Sequence, residues 1–253
     1  MEELQPFIFE HVDTQLECFA SRDAREQLLQ WNLDAALRVE RFKFSGAFAA
    51  GDYERILRDF FRDAAAMSRI EVSGTPASVP LVVESQTLST NVMTMDFFDR
   101  IEECDVVSSI AGGQIRGCFE EYFESIQSGD KLREMLLNSD SENANVFKES
   151  ERLELIYVLF RLIVLGGSMC QPDDKIDRYL AMTKALYRDV LTVYKDANTG
   201  AVSVSGRVCQ IKSVPGLALF SHPDKDIVNL LLIVVDPLKR HLLVLKNDFK
   251  PFW

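Results

Sequence analysis

The sequence predicts an α+β protein with an antiparallel or mixed sheet, a central buried helix, surrounding helices and a C-terminal β-meander. The first observation is the segment 153–165, which is apolar almost all the way round and leaves only Glu154, Tyr157 and Arg161 as a polar stripe. The second is an amphipathic helical pattern over residues 176–191. The third is a change in the last part of the chain to the alternating pattern that is typical of strands.

The apolar segment is predicted to be a helix surrounded by protein. It contains Arg161 and is too short to cross a bilayer, which takes about twenty apolar residues. Gly166-Gly167 supplies the left-handed residue that commonly ends such a helix. Pro172 with Asp173 is typical of the turn into the next helix.

The chain begins with alternating strand and helix signals. Residues 7–9 predict a short strand, and Ser21 is a typical first residue for a helix that continues through Trp31. Residues 37–44 alternate apolar and charged side chains, but the phase of the alternation slips. A strand with a bulge near Glu40 would place both apolar pairs on one face.

The next stretch contains the place where composition changes most. Asp52 is a candidate cap for a helix over residues 53–61. Residues 64–80 are rich in small residues, Gly and Pro, and they predict a surface loop or a short strand pair. Any hinge of an otherwise single domain spanning 1–253 is expected here. Residues 81–83 then predict a buried strand.

Two further helices are predicted before the central one. Residues 94–103 carry apolar side chains at helical spacing after Thr94, and residues 119–126 repeat Phe and Ile at the same spacing. Gly112-Gly113 between them is not followed by the Lys and Ser or Thr of a phosphate-binding loop. The glycine pair therefore does not indicate a nucleotide site.

The C-terminal part predicts an antiparallel meander. Residues 191–195 and 202–211 flank a segment with the composition of a hairpin loop. Residues 227–235 are almost continuously apolar, which favours a central strand covered on both faces. Asp236-Pro237 begins a tight turn, and residues 241–245 return beside that strand.

Composition and charge exclude several classes of partner. The chain has 253 residues and a net charge of −11, which repels nucleic acid and anionic membrane surfaces. The longest local run of basic residues is 239–241. The five cysteines are scattered, with no CxxC pair and no secretory signal before them, so we expect reduced thiols in a cytosolic protein.

A thiol site can be composed from Cys170, His241 and Asp236, although any chain with three histidines offers combinations of this kind. Cys170 follows a helix C-terminus, where the dipole raises the pKa of a thiol, so the position favours a small core residue over a nucleophile. His241 is predicted to be an edge residue of a hairpin. A thiol enzyme or a small-ligand site remains the alternative, and it requires the turns around Cys170 and His241 to meet in a pocket.

The chain ends with three aromatics within five residues, whereas chain ends are usually polar. These aromatics are predicted either to pack back on their own sheet or to anchor another protein. Together with the basic run they give six candidate partner-binding residues. They are Lys239, Arg240, His241, Phe249, Phe252 and Trp253.

Two strings of residues resemble the cilia- and flagella-associated protein 300 family. One is LGGSMCQ at 165–171, and the other is VDPLKRHL at 235–242. Weaker matches occur in the same order along most of the chain. They are Gln30-Trp31, Phe60-Phe61 before a basic residue and Asp63, and MDFFDR at 95–100. The alanine-rich stretch after Asp63 and the end at 247–253 depart from the family pattern.

The resemblance implies a protein of motile cilia and flagella that takes part in cytoplasmic assembly and delivery of outer and inner axonemal dynein arms. Implied partners are dynein subunits, their assembly factors or chaperone-linked complexes, and intraflagellar transport, with no nucleic acid and no membrane insertion. Cytoplasm and cilium are the implied locations. No catalytic residue, metal or cofactor follows from the resemblance. A structural axonemal component is the second alternative, beside the thiol enzyme.

Overall fold

The computed structural model describes residues 5–13, 15–77, 81–108, 112–124, 126–195, 200 and 202–251. The described strands are β1 (Ile8–Val12), β2 (Leu37–Ser45), β3 (Ser73–Gly74), β4 (Glu84–Leu88), β5 (Val107–Ser108), β6 (Gln114–Ile115), β7 (Gly117–Phe123), β8 (Ile126–Asp130), β9 (Val193–Lys195), β10 (Val202–Val204), β11 (Arg207–Ser213), β12 (Leu217–Ala218), β13 (Leu230–Asp236) and β14 (His241–Asn247). The described α-helices are α1 (Arg22–Gln30), α2 (Tyr53–Arg62), α3 (Ala64–Arg69), α4 (Arg100–Glu103), α5 (Lys131–Leu137), α6 (Leu155–Leu165) and α7 (Ile176–Val190). This content and the antiparallel main sheet confirm the predicted α+β class.

The chain divides into two compact units, each built from separate segments. The first unit comprises Met1–Gln15, Leu37–Leu88 and Val190–Asp248. The second comprises Leu16–Ala36, Ser89–Asp189 and Phe249–Trp253. The segment at 64–80, where we placed a hinge, falls inside the first unit.

The first unit contains an antiparallel sheet of six strands in the order β1-β2-β14-β13-β11-β4. All seven residues of β13 are buried, so the prediction of a central strand covered on both faces is confirmed. The predicted turn is also confirmed, because the Asp236 carboxylate accepts hydrogen bonds from the N–H groups of Leu238 at 3.0 Å and Lys239 at 3.1 Å. Strand β14 then returns beside β13.

Helix α2 supplies the aromatic side of this unit's core. Its apolar stripe recurs at helical spacing and is buried. Phe60 is fully buried and lies 5.2 Å from the ring centroids of both Phe9 and Phe42, in edge-to-face geometry. The carboxylate of Asp52, the predicted cap, accepts from Ala49 N–H at 2.7 Å and from Arg55, and does not cap the first helical turn.

The predicted bulge near Glu40 is wrong. Strand β2 pairs in unbroken register with β1 on one side and with β14 on the other. Phe42 and Phe44 point into the core on one face, while Leu37 and Val39 lie on the other face. The slip in the sequence pattern therefore marks a change of face and not an extra residue.

The segment at 64–80 is not simply a loop, because Ala64–Arg69 forms helix α3. Asp63 caps this helix by accepting hydrogen bonds from the N–H groups of Ala65 at 2.9 Å and Ala66 at 3.0 Å. Alanine favours helix, so the small residues that suggested a loop instead extend the helical structure. Residues 81–83 are not a strand; the strand begins at Glu84, and residues 78–80 lie outside the described part.

The second unit contains the predicted central helix, α6, in which nine of eleven residues are buried. Its expected polar stripe is also covered, since Tyr157 is 5% exposed. Glu154 precedes the helix, and its carboxylate accepts hydrogen bonds from Ser89 Oγ at 2.7 Å and from Val92 N–H at 3.2 Å. The stripe is therefore part of the packing of this unit and not a solvent-facing edge.

The helix predicted over residues 119–126 is wrong, because strands β7 and β8 form an antiparallel hairpin there. Glu124 at the turn has a φ of 54°. Phe119 is 94% exposed, so the phenylalanines that suggested a buried helical face do not share one. The helix predicted over 94–103 is present as a 3₁₀ turn, Met95–Phe98, followed by α4.

The prediction of a hairpin around residue 198 is confirmed, since β9 pairs with β10. Its loop at 196–199 lies outside the described residues. The strand expected over 202–211 is divided into β10 and β11, with Ser205-Gly206 between them.

Candidate functional site

The turn after helix α6 is hydrogen-bonded to the C-terminal end of helix α1. Gly166 ends α6 with a φ of 64°, as the double glycine predicted. The N–H of Gly167 then donates to the Trp31 carbonyl at 2.8 Å, and the N–H of Gln171 donates to the Gln30 carbonyl at 2.9 Å. Two segments far apart in the sequence are thus joined through their backbones.

This approach is so close that the turn requires glycine. A Cβ at position 167 would lie 2.1 Å from the carbonyl oxygen of Asn32, and one at position 166 would lie 2.6 Å from that of Trp31. The obstructing atoms belong to backbone and cannot turn aside as the end of a side chain can. The glycine pair therefore serves the packing of the turn as well as the termination of the helix.

Trp31 lies at the centre of this junction. It is fully buried and stacks on Tyr179 with ring centroids 5.1 Å apart. Its Nε1 donates to the Asp173 carboxylate at 2.9 Å, and that carboxylate also accepts from Arg178 at 3.0 Å. The Asp173 N–H in turn donates to the Tyr179 hydroxyl at 2.8 Å.

Arg133 brings a buried charge to the same cluster. Asp130 caps α5 by accepting from the Arg133 N–H at 2.8 Å, and its carboxylate also accepts from Arg133 Nη1 at 2.8 Å. Arg133 Nη2 donates to Cys170 Sγ at 3.2 Å and to the Tyr179 hydroxyl at 3.3 Å. The side chain of Arg133 is 2% exposed, so its buried charge is stabilised by the Asp130 carboxylate and by these two neutral acceptors. We call Trp31, Arg133, Cys170, Asp173 and Tyr179 the junction cluster.

The surroundings of the cluster favour the protonated forms of Cys170 and Tyr179. Burial raises the pKa of the Cys170 thiol, and the nearby Arg133 only partly opposes this. Burial likewise raises the pKa of Tyr179 to about 12. Both groups are therefore protonated at neutral pH, which removes the thiolate that a nucleophilic cysteine needs.

Cys170 is accordingly expected to react with iodoacetamide more slowly than free cysteine at pH 7.5, and its rate should rise as the pH increases above about 8.5, the value for an unperturbed thiol. The pKa of the Cys170 thiol is higher in the folded chain than in the unfolded chain. The contribution of this thiol to the free energy of unfolding is therefore complete below the unfolded pKa, and it is lost as the pH rises through the folded pKa. Mass spectrometry of timed labelling measures the rate, with glutathione as the control. Labelling of native Cys170 at neutral pH faster than glutathione would contradict this.

A groove with a volume of about 530 Å³ lies beside the cluster, between the β7–β8 hairpin and the turn at 172–174. Cys170 and Arg133 reach its wall. Three of its polar lining residues, Asp130, Arg133 and Asp173, are hydrogen-bonded to one another or to neighbours in and around the cluster. These three groups are therefore occupied in holding the fold.

The C-terminal segment is attached to the same turn. Ser168 Oγ donates to the Lys250 carbonyl at 2.9 Å, and Phe249 is 6% exposed. Burial of Phe249 favours a packed residue over a free anchor. Phe252 and Trp253, the other two aromatics of this predicted partner-binding group, lie outside the described residues.

The second predicted partner-binding group lies in the first unit, at the turn between β13 and β14. Lys239 and Arg240 are exposed, and His241 is half-buried. Burial lowers the pKa of His241, and the charges of Arg41 and Lys43 lower it further. The alternative thiol site would need His241 as the base for Cys170, but the described partner of that thiol is Arg133, in its own unit.

The described residues contain neither a metal-binding group nor a membrane-spanning helix. No group of three or more His, Cys, Asp or Glu side chains within the described ranges is arranged to hold a metal ion. Within the same ranges, no helix has the length and apolar character needed to cross a membrane.

Residues 6–247 match the family described as Cilia- and flagella-associated protein 300. The chain belongs to this family. It is 31% identical over 237 residues to the Cilia- and flagella-associated protein 300 of Chlamydomonas reinhardtii, across 90% of this chain and 92% of the relative. It is also 31% identical over 229 residues to that of Paramecium tetraurelia, across 90% of this chain and 88% of the relative. No solved structure matches the chain.

The structure joins Gln30-Trp31 to the turn at 165–171 through backbone hydrogen bonds, so two of the strings on which the resemblance was argued meet in space. The sequence reasoning treated them as separate matches. It also missed Arg133 and Asp173 as members of the cluster. The only local signal for Arg133 was Asp130 three residues before it, the spacing of a helix cap and its N–H donor. In this member of the cilia- and flagella-associated protein 300 family, the strings at 30–31 and 165–171 therefore form a structural junction.

Proposed function

We propose that this cilium- and flagellum-associated protein acts as a non-enzymatic adaptor or assembly factor for outer and inner axonemal dynein arms. It would work during cytoplasmic preassembly of the arms and during their delivery to the cilium. Family membership supports the association with cilia and flagella. The observation that carries the adaptor role is the occupation of the junction cluster by its own internal contacts.

The cluster brings together a thiol, a phenol and a guanidinium, the kinds of side chain that could take part in a reaction. A thiol with a raised pKa, a tyrosine with a raised pKa and an arginine bound to Asp130 do not supply a nucleophile, a base or a free cation. These side chains hold a turn on a helix end instead. The function of the chain is then left to its outer surface, as expected for a protein that binds other proteins.

The partners that we propose are dynein subunits, their assembly factors or chaperone-linked complexes, with intraflagellar transport as the carrier into the cilium. The net charge of −11 makes proteins more suitable partners than nucleic acid or anionic lipid. Affinity purification from cells that are regrowing cilia, followed by mass spectrometry, would identify the direct partner.

Cells that lack this protein are expected to form cilia of normal length that beat poorly, because arms that are not assembled cannot be installed. Electron tomography of their axonemes should show missing outer and inner dynein arms, and re-expression of the native chain should restore them. Intact arms in the deficient cells would contradict the proposal. Fractionation is the control for location: a protein found only in the axoneme of growing cells would indicate a structural component of the cilium.

A further inference from the structure

Four cations of the first unit lie on two segments that adjoin each other in the sheet, strand β2 and the turn that leads into β14. They are Arg41, Lys43, Lys239 and Arg240, which we call the basic patch. The register pairs His241 with Lys43 and Leu243 with Arg41, so the two β2 cations lie on the face of the sheet that carries His241. Phe42, between them, points to the opposite face and into the core.

The backbone holds the turn cations in a fixed place. The Asp236 carboxylate accepts from Lys239 N–H, and the Arg240 carbonyl accepts from Phe44 N–H at 3.0 Å. The turn residue Arg240 has a φ of 53°. The patch is therefore presented by a hydrogen-bonded turn and a central strand, and not by a flexible loop.

The cations of the patch have no ion-pair partner among the described residues. Glu10 lies opposite Lys43 in the register of β1 and β2 and is the nearest acidic residue of that neighbour strand. Asp236 lies opposite His241, but its carboxylate accepts from the Ser205 hydroxyl at 2.8 Å and from the N–H groups of the turn. In a chain with 39 acidic and 28 basic residues, these four cations therefore form a local positive region on a protein whose net charge is negative.

The charges of the patch also act on His241, which pairs with Lys43 in the register. Burial lowers the pKa of His241 most, and Arg41, Lys43 and Lys239 each lower it further, while Asp236 raises it. Three of the patch cations thus act on one imidazole from two different elements.

The nature of the ligand follows from the charge of the patch and of the whole chain. Nucleic acid and anionic membranes are larger than the patch and would also face the rest of the chain. The overall charge of −11 repels such polyanions. A short acidic peptide can contact the patch alone. Leu238 beside the patch is 71% exposed and provides an apolar contact that a peptide side chain can use.

We propose that the basic patch binds an acidic segment of a partner protein that carries an apolar side chain to contact Leu238. The inference rests on the proposed adaptor role and names the surface that such a role would use. It also assigns a function to the turn residues that the family string at 235–242 contains.

The binding test uses a fluorescein-labelled peptide of Glu residues with one central Leu, and fluorescence anisotropy as the readout. The variants K239Q and R240Q combined, or R41Q and K43Q combined, should each raise the Kd by about threefold or more, since exposed ion pairs contribute small additive amounts. The Kd of the native chain should also increase with salt, because the contacts are exposed charge pairs. Melting temperature verifies that the variants are folded.

The matched control replaces Lys184 and Arg188, two exposed cations on α7, by glutamine. It removes the same number of charges as either patch pair, so it should change the Kd by less than about twofold if location matters more than net charge. Equal weakening by the control would overturn the inference. So would tighter binding of the native chain to a twenty-nucleotide single-stranded DNA or to phosphatidylserine vesicles than to the peptide.

Cells that lack the protein separate this inference from the proposed function. If deficient cells keep their dynein arms, the adaptor role fails whatever the peptide result. If they lose the arms and the four-site variant R41Q/K43Q/K239Q/R240Q restores them as fully as the native chain, the basic patch fails alone. We expect loss of arms in deficient cells and incomplete restoration by this variant at native abundance.

Discussion

Replacing Trp31 by alanine is expected to lower the free energy of unfolding of the second unit by about 3–5 kcal/mol, the usual cost of truncating a buried aromatic side chain. Trp31 is fully buried, stacks on Tyr179 and donates to Asp173. Its removal leaves a cavity at the junction and takes a donor from a carboxylate that is nearly buried. Urea denaturation followed by far-UV circular dichroism measures the change.

The conservative variant Trp31→Phe separates packing from hydrogen bonding. Phenylalanine keeps an aromatic ring against Tyr179 but has no N–H for Asp173, which retains the donor Arg178. We expect a smaller loss of about 1.5–3 kcal/mol, the range for one hydrogen bond to a charged group. A Trp31→Ala variant within about 1 kcal/mol of the native chain would show that the junction does not hold the unit together.

Replacing Gly167 by alanine is expected to lower the free energy of unfolding by about 3 kcal/mol, at the upper end of the usual range for overpacking. The added methyl group would lie 2.1 Å from the carbonyl oxygen of Asn32. Relief requires the turn and the end of α1 to separate, which weakens the hydrogen bond from Gly167 N–H to the Trp31 carbonyl. The loss of stability is therefore a backbone effect.

Gly51 provides the matched control for this substitution. A Cβ added there would meet no atom within 4 Å, so Gly51→Ala should leave the free energy of unfolding within about 0.5 kcal/mol of the native value. Thermal and urea denaturation of both variants give the comparison. Equal stability of Gly167→Ala and the native chain would contradict the close packing of the turn.

Elements with one dominant pattern could be predicted from the sequence. Helix α6 and strand β13 carry long apolar runs, and the glycine pair and Asp236-Pro237 mark their ends by backbone chemistry. In each case the residues that fix the structure are neighbours in the sequence. The family was likewise predicted from short strings and is confirmed.

Elements whose sequence pattern is compatible with more than one structure were mispredicted. Strand β2 uses both faces, so its change of phase resembled a bulge. The β7–β8 hairpin has phenylalanines at helical spacing by coincidence, and Phe119 is exposed. Which face a side chain occupies depends on neighbouring strands that are distant in the sequence, and no local pattern contains that information.

The junction cluster could be predicted only in part. The glycine pair and Trp31 lay in matching strings. The direction of the pKa shift of Cys170 was predicted, but its main cause is burial and not the helix dipole. Arg133 could not be assigned, because its role depends on contacts with Cys170 and Tyr179. A buried arginine has the same sequence context as an exposed one until the fold brings its acceptors together.

Electron tomography of axonemes from deficient cells that express the Cys170→Ser variant tests most directly whether the surface, and not interior thiol chemistry, carries the function. Serine keeps an acceptor for Arg133 while removing the thiol. We predict dynein arms at the same occupancy as with the native chain. Axonemes without arms, from cells in which the variant matches the native protein in abundance and melting temperature, would contradict the account.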